Sequence, residues 1–170
     1  MYRAFNKKRG VRQTVGCLYG SRRRVVLGFK EGMREHTVTH TTLSGRFAGA
    51  FQQYAGRGGA LLQTRVFDLR SGRRVFEARE DQEFGPDGRQ PVNSPYGRAL
   101  VVARNGTAAW TVERVGLKTG RVVTTEVHVR DSASARLVDS GAGIAARSLA
   151  LGGSTVYWTH DGQARSIELE

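Results

Sequence analysis

Asn105-Gly106-Thr107-Ala108-Ala109-Trp110-Thr111 is a turn of small residues that leads into an aromatic strand, and the chain contains this pattern three times. The other copies are Ser44-Gly45-Arg46-Phe47-Ala48 and Gly153-Ser154-Thr155-Val156-Tyr157-Trp158-Thr159. The first two copies are each followed by a second hairpin with a charged turn, within residues 66–75 and 127–133. Self-similarity at a period of tens of residues is typical of repeat architectures. The pattern therefore predicts how the chain is built, and it indicates no particular chemistry.

The regions between these turns have the short apolar alternation of strands, and no segment has a convincing helical pattern. The chain is therefore predicted to be all-β. The predicted strands cover residues 14–18, 24–28, 35–42, 46–54, 61–70, 73–78, 99–103, 107–114, 121–130, 136–139, 148–151, 155–160 and 164–169. Residues 77–95 contain five acidic residues and all three prolines, so they are predicted to form a connecting loop. Residues 1–10 are predicted to be a basic, flexible lead-in, and residues 11–170 to be one repeat domain.

The equivalent turn positions, residues 44, 105 and 153, are 61 and 48 residues apart. Propeller blades have roughly 40–50 residues and four antiparallel strands each. This count predicts three and a half to four blades: a half-blade at 11–28, then blades near 36–79, 98–139 and 147–169. Two arrangements remain open. Either the first hairpin pairs with the last and closes a minimal ring, or an open arc leaves unpaired strand edges that invite a partner or a second copy.

The repeated phrases also resemble a known family. They are Val66-Phe67-Asp68-Leu69-Arg70-Ser71-Gly72-Arg73, Asp139-Ser140-Gly141-Ala142-Gly143-Ile144-Ala145-Ala146-Arg147-Ser148-Leu149-Ala150-Leu151 and Thr155-Val156-Tyr157-Trp158-Thr159. They are similar to the blade phrases of TolB-like and WD40-like β-propeller proteins, particularly uncharacterised ones from actinobacteria, from about residue 15 to the end. The resemblance implies a propeller-type repeat with no catalytic residues to carry over. The family is often extracytoplasmic, whereas residues 1–16 lack the apolar segment of a signal peptide, so the compartment stays open.

Composition limits the classes of partner. The 170 residues contain no stretch near the ~20 apolar residues of a transmembrane helix, so no membrane span is predicted. Cys17 is the single cysteine, which excludes an internal disulfide and predicts a small buried side chain.

The formal net charge of +12 is concentrated near the start, where residues 1–34 contain ten basic side chains and one acidic side chain. A clustered basic patch can bind a polyanion by neutralising phosphates and releasing counterions. The residues predicted for such a site are Lys7, Lys8, Arg9, Arg12, Arg22, Arg23 and Arg24. The patch lacks the aromatic residues that would stack on bases, and this weakens a nucleic-acid interpretation.

One motif imitates a dinucleotide-binding fingerprint. Gly141-Ala142-Gly143-Ile144-Ala145-Ala146 has the right glycine spacing, and Asp161 follows twenty residues after its first glycine. That chemistry needs a helix whose N-terminus faces the pyrophosphate. Because Gly152-Gly153 and strand sequence follow within a few residues, the motif is predicted to be a connection between blades.

The histidines do not predict a metal site. His36 and His40 would lie about 13 Å apart on a strand, too far to share one ion. His128 and His160 have no cysteine or carboxylate at a familiar ligand spacing.

The remaining candidate residues favour structural roles. No nucleophile elbow or P-loop is present, so no catalytic residue and no cofactor is predicted. Asp68, Asp131, Asp139 and Asp161 are expected to cap turns or to pair with arginines. Trp110 and Trp158, at equivalent repeat positions, are predicted to pack in the core.

Three functional hypotheses follow from the sequence. The preferred one is a non-catalytic propeller-type domain that presents loops or an open edge to a protein or glycan partner. The alternative is a polyanion-binding or nucleic-acid-binding module. An enzyme on a propeller scaffold would need convergent polar residues that the sequence does not display.

Overall fold

The computed structural model of the chain describes residues 1–8, 10–20, 23–30, 35–56, 59–131 and 134–169. The described residues form fifteen strands in four antiparallel sheets and contain no helix. The all-β class predicted from the sequence is therefore confirmed. None of the described residues belongs to a helix that is long and apolar enough to cross a membrane.

Every sheet is a meander, in which consecutive strands of the chain are neighbours in the sheet. The first sheet contains β1 (Tyr2–Asn6), β2 (Val11–Gly16) and β3 (Val25–Lys30). The second sheet contains β4 (Glu35–Ser44), β5 (Phe47–Gly56), β6 (Gly59–Asp68) and β7 (Arg73–Asp81). The third sheet contains β8 (Glu83–Phe84), β9 (Pro91–Val102), β10 (Ala108–Gly116), β11 (Val122–Arg130) and β12 (Ala135–Gly141). The fourth sheet contains β13 (Ala150–Gly152), β14 (Thr155–His160) and β15 (Gln163–Glu168).

Three apolar layers join these sheets in chain order. The first layer, between the first and second sheets, contains Val25, Leu27, Ala48, Ala50, Phe67 and Leu69. The second layer, between the second and third sheets, contains Phe47, Phe51, Leu62, Val66, Phe76, Ala78, Leu100, Val102, Ala108, Trp110 and Val112. The third layer, between the third and fourth sheets, contains Ala109, Val127, Val129, Ile144, Leu149, Val156, Trp158 and Leu169.

Strand β10 shows how one strand supplies two layers. Side chains alternate between the faces of a sheet, so Trp110 enters the second layer and Ala109 enters the third. Trp110 is fully buried and Trp158 is 6% exposed, which confirms the prediction that both tryptophans are core residues.

The three repeated turns have a shared backbone feature. Gly45, Gly106 and Gly153 have φ angles of 55°, 94° and 64°, a left-handed region that only glycine enters without strain. They lie in the hairpins that lead into β5, β10 and β14. The equivalence predicted from the sequence is therefore present in the local structure of these hairpins.

The structure adds a strand that the sequence did not predict. Residues 2–6 form β1, which pairs with β2 from Tyr2↔Val15 to Asn6↔Val11. The expected frayed lead-in is corrected over these residues. Most residues of β1 are exposed to solvent. Because the strand has no buried face, its sequence lacks the alternation of apolar and polar residues that would predict it.

The acidic, proline-containing segment 77–95 is also corrected, because much of it is strand. Residues 77–81 continue β7, Glu83 and Phe84 form β8, and β9 begins at Pro91. Pro95 is accommodated because β9 pairs there with β10 on one side, while β8 reaches only Asn93 and Pro91 on the other.

The number of strands per sheet differs from the four expected for each blade. Among the described residues, the first, second, third and fourth sheets contain three, four, five and three strands, so only the second has four. The fifth strand of the third sheet is β8. The sequence did not predict it, because the prolines and acidic residues around it are typical of a loop.

Candidate functional site

The strongest candidate site is a group of buried charged residues in the gap between the second and third sheets. We call Glu80, Arg114, Glu126 and His128 the charged cluster. They project from β7, β10 and β11. Glu126 and His128 are two residues apart on one strand and therefore share a face, which is the face turned towards the second sheet. Packing of the two sheets then brings Glu80 into hydrogen-bonding range of Arg114.

Arg114 is the centre of the charged cluster. Its Nε lies 3.0 Å from Glu126 Oε1, and its Nη2 lies 3.1 Å from Glu126 Oε2, so the pair is bidentate. Nη2 also donates to Glu80 Oε2 at 3.2 Å, and Nη1 donates to the backbone carbonyl of Asp81 at 2.6 Å. Because the Arg114 side chain is only 8% exposed, these acceptors replace its water shell.

His128 connects the charged cluster to an aromatic stack. Its Nε2 lies 2.9 Å from Glu126 Oε2, and its Nδ1 lies 3.7 Å from Glu80 Oε1. The imidazole is nearly parallel to the Trp110 indole, with ring centroids 5.4 Å apart. Trp110 also stacks on Phe76, with ring centroids 5.8 Å apart. The imidazole is thus held between carboxylates at its edge and an indole on its face.

The two carboxylates of the charged cluster are affected in opposite directions. Burial raises the pKa of the Glu126 carboxyl, but hydrogen bonds from His128 and Arg114 outweigh burial and lower the pKa to about 2. Burial also raises the pKa of the Glu80 carboxyl, and here the charges of His128 and Arg114 do not fully compensate. Glu126 is therefore the firmly ionised member of the charged cluster.

Three members of the charged cluster have the chemistry of metal ligands. One ligand atom from each of Glu80, Glu126 and His128 lies within 4.8 Å of the others. However, the guanidinium of Arg114 already binds both oxygens of Glu126 and one oxygen of Glu80. Arg114 supplies the positive charge that a cation would supply, so a metal ion would have to displace it. The arrangement fits an ion-pair network that joins two sheets.

A second polar group joins the third and fourth sheets. Asp139 on β12 accepts a hydrogen bond from Trp158 Nε1 at 2.6 Å. His160 Nδ1 lies 2.9 Å from the same carboxylate oxygen. Burial raises the pKa of the Asp139 carboxyl, but these two hydrogen bonds outweigh burial and hold the pKa below its ordinary value. Asp139 therefore anchors β14 to the third sheet, which corrects the expectation that it caps a turn or pairs with an arginine.

The other three aspartates behave as the sequence predicted. Asp68 Oδ1 accepts the backbone N–H of Arg70 at 2.8 Å in the β6–β7 turn. Asp131 pairs with Arg136 at 2.6 Å. Asp161 begins a two-residue hairpin turn with a φ angle of 51°, and the following glycine also has a positive φ, as a type I′ turn requires.

The dinucleotide-like motif and the histidine pair also lie where the sequence predicted. Gly141 ends β12, and residues 142–149 form no helix and connect β12 to β13. His36 and His40 lie on the extended strand β4. The described contacts of His40 include a tilted aromatic contact with Phe51, with ring centroids 5.9 Å apart.

Of the residues predicted for polyanion binding, those that the structure describes lie at opposite ends of the first sheet. Lys7 and Lys8 are exposed at the turn between β1 and β2. Arg12 lies on β2, while Arg23 and Arg24 precede β3 at the opposite end of the first sheet. Arg9 and Arg22 lie outside the described residues.

A different basic surface occurs in the crevice between the first sheet and β4. Two neighbouring cavities of about 180 and 240 Å³ are both lined by Arg3, Thr14 and Val38. Arg12 lines one of the cavities, and His40 lines the other. Neither set of lining residues includes an acidic side chain, and neither Arg3 nor Arg12 forms an ion pair within the described ranges.

The sequence reasoning missed the charged cluster for an identifiable reason. Glu126 and His128 fall within the predicted strand 121–130, and their i, i+2 spacing is the signal that the sequence offers. Arg114 is the cross-strand neighbour of Thr124 on the same pair of strands. Glu80 comes from the segment expected to be a loop, so its approach to Arg114 depends on sheet packing that no local pattern reveals.

No protein-family profile, curated protein or solved structure matches the chain.

Proposed function

We propose that the chain is a non-catalytic binding or scaffold domain of the β-propeller type, built as an open arc of stacked sheets. The observation that carries the proposal is the packing of four antiparallel meanders on one another in chain order through three apolar layers. Propeller blades are antiparallel meanders that repeat in this way. The fold of each described sheet and its contact with the next are therefore compatible with a propeller-type repeat.

The charged groups that lie between neighbouring sheets support a structural role. Arg114 binds Glu126, Glu80 and a backbone carbonyl, and Asp139 binds Trp158 and His160. Each group thus ties neighbouring sheets together and uses its hydrogen-bonding capacity in doing so. Recognition would then involve the loops and strand edges at the surface.

The accessible surface favours an open arc over a closed ring. It measures 10232 Å², whereas a compact monomer of this mass exposes about 8,300 Å². Large apolar side chains remain exposed on both terminal sheets: Phe5 on β1 is 61% exposed and Tyr157 on β14 is 45% exposed. Strand β1 is also an edge strand with one described neighbour, β2. We therefore assign a second copy of the chain as the first partner of this edge.

Substitution of Phe5 tests this proposal. Phe5→Glu places a charge on the exposed edge strand, a change that blocks edge-to-edge pairing in natural sheets. Leu117→Glu is the matched control, because Leu117 is 49% exposed and lies outside the strands, between β10 and β11. We expect Phe5→Glu to lower the solution mass to that of a monomer while Leu117→Glu keeps the mass of the native chain. Equal masses for all three proteins would contradict association through β1.

Polyanion binding is the second candidate, and the crevice between the first sheet and β4 favours it. Arg3 and Arg12 lie in this crevice beside threonine hydroxyls, and the lining residues that the structure describes include no acidic side chain. Guanidinium and hydroxyl groups are the side chains that contact phosphate or sulfate oxygens.

Salt-dependent binding tests the second candidate. The probe is heparin, titrated against the native chain, the double variant Arg3→Gln/Arg12→Gln and the control Arg79→Gln on β7. Loss of two ionic contacts should reduce the slope of log K against log salt by about 2 in the double variant. An unchanged slope in the double variant, or no binding by the native chain at low salt, would refute this candidate.

A further inference from the structure

A cavity of about 330 Å³ opens where the second layer ends. Its walls come from the start of β7, the β9–β10 turn and the end of β11. They include Val75, Phe76, Asn105, Thr107, Arg130 and Asp131. The volume falls at the lower end of the range for small-molecule sites, which is about 300–1,000 Å³. The cavity is separate from the crevice between the first sheet and β4.

Arg130 is the unusual residue of this cavity. Its guanidinium lies over the Phe76 ring, with Cζ 5.8 Å from the ring centroid. Its Nη1 is buried and has no hydrogen-bond partner. Within the described part of the chain, the Arg130 side chain has no ion pair. A buried charged donor without an acceptor destabilises a fold, so the position calls for an acceptor that the described residues do not provide.

The other arginine of the second layer shows what a satisfied guanidinium looks like in this protein. Arg114 donates to two carboxylates and to one carbonyl oxygen. Arg114 and Arg130 project from neighbouring strands into the same gap between sheets, yet among the described contacts Arg114 has carboxylate partners and Arg130 has none. The contrast identifies Arg130 as a donor that is available to a ligand.

The neighbouring polar groups of the cavity already have partners within the protein, unlike Arg130 Nη1. Asp131 is bound by Arg136 at 2.6 Å, so its charge is already compensated. Asn105 Oδ1 accepts hydrogen bonds from the backbone N–H and the hydroxyl of Thr107, at 3.0 and 2.7 Å. Arg130, Asp131 and Arg136 together have a net charge of +1, which favours an anion in the cavity.

We propose that this cavity binds a small ligand that carries one carboxylate next to a flat apolar group. The planar guanidinium of Arg130 matches the two oxygens of a carboxylate. Val75 and Phe76 provide the apolar wall for the rest of the ligand. This inference is independent of the partner surface on β1, because it concerns the gap between the second and third sheets and a different chemistry.

Titration with benzoate tests the proposal. Benzoate has a carboxylate on a flat apolar ring, and benzamide is its neutral counterpart of nearly the same shape. Binding is measured by calorimetry or by chemical-shift changes on the native chain, Arg130→Met and the control Arg79→Met. We expect saturable binding of benzoate by the native chain and by Arg79→Met, and binding weaker by about tenfold or more for Arg130→Met, because a charged hydrogen bond is lost. Benzamide should bind the native chain at least about tenfold more weakly than benzoate.

Three results would overturn the proposal: no saturable binding of benzoate, equal affinity for benzoate and benzamide, or an Arg130→Met affinity equal to that of the native chain. If Arg130→Met does not fold, Arg130→Lys replaces it. This variant keeps the charge but loses the planar fork, so benzoate should still bind it more weakly than it binds the native chain. An unchanged affinity in Arg130→Lys would equally contradict recognition by the guanidinium.

Discussion

At the scale of single residues, the protein depends on buried charges that are paired. Arg114 is 8% exposed, and its principal acceptor Glu126 is 12% exposed. Such a pair contributes little net stability when compared with apolar residues, but removal of one partner leaves an uncompensated buried charge. Arg114 and Glu126 therefore act mainly as a constraint on how the second and third sheets meet.

Glu126→Gln should lower the free energy of unfolding by about 3–5 kcal/mol at neutral pH, because Arg114 loses its bidentate carboxylate partner and keeps the single hydrogen bond to Glu80. Asp81→Asn is the matched control. The Arg79–Asp81 pair has side chains 61% and 57% exposed, and exposed pairs contribute at most about 1 kcal/mol. Denaturation with urea measures both changes. Similar small losses in both variants would show that the charged cluster is not buried in solution.

The lowered pKa of Glu126 predicts how stability depends on pH. The pKa of Glu126 is lowered from 4.5 to about 2, so the folded state binds a proton less readily than the unfolded state. Its contribution to stability is therefore complete above about pH 4.5 and is lost as the pH falls towards 2. The raised pKa of Glu80 acts in the opposite direction and offsets part of this loss.

Urea midpoints measured from neutral pH down to about pH 3 test this dependence. The native chain should lose stability more steeply than Glu126→Gln, which has no carboxyl to protonate at that position. Parallel curves for the two proteins would contradict the lowered pKa.

At the scale of elements, the central strands of the sheets carry the packing. Strand β10 places Trp110 in the second layer, and β14 places Trp158 in the third. The two side chains differ in their polar contacts. Trp158 donates to Asp139, whereas Trp110 Nε1 is buried and has no hydrogen-bond partner. Trp110 is held by its stacked neighbours Phe76 and His128.

Trp110→Ala and Trp158→Ala should each destabilise the fold by about 3–5 kcal/mol, because each leaves a large cavity in an apolar layer. Thermal melting measures the loss. A variant that melted like the native chain but lost a binding activity would show that the tryptophan contacts a ligand and not the core.

The elements also show where sequence reasoning succeeds and fails. The turns at Gly45, Gly106 and Gly153 were predictable because a positive φ restricts the residue type. The end of β7 was missed because Glu77 and Glu80 resemble loop residues. In the structure, Glu77 binds Arg65 at 2.7 Å and Glu80 binds Arg114 at 3.2 Å. Local composition shows that such residues are charged. It does not show the arginine partner that allows a glutamate to lie in a strand.

The candidate sites depend on contacts that lie far apart in sequence. Arg114 and Glu80 are 34 residues apart, and Trp158 and Asp139 are 19 residues apart. Each pair joins two different sheets, so it becomes visible only when the sheets are stacked. The position of Arg130 over Phe76 has the same origin. By contrast, the i, i+2 pair of Glu126 and His128 could have been recognised once β11 was predicted.

At the scale of the whole molecule, we propose an open stack of four sheets in which the edge strand β1 pairs with a second copy. The three apolar layers hold the sheets together, and the accessible surface of 10232 Å² supports the proposal of an open stack. Pairing through β1 would satisfy backbone groups that one copy leaves exposed. Because this pairing depends on backbone hydrogen bonds and apolar contacts, it should resist salt.

The most direct test is the solution mass of the purified chain, measured by light scattering at low and high salt. Pairing through β1 predicts about twice the 18.7 kDa of one chain, or a larger multiple, at both salt concentrations. Association at low salt only would attribute assembly to the basic residues and not to the edge. A monomer at both salt concentrations would contradict the open arc that completes itself through β1.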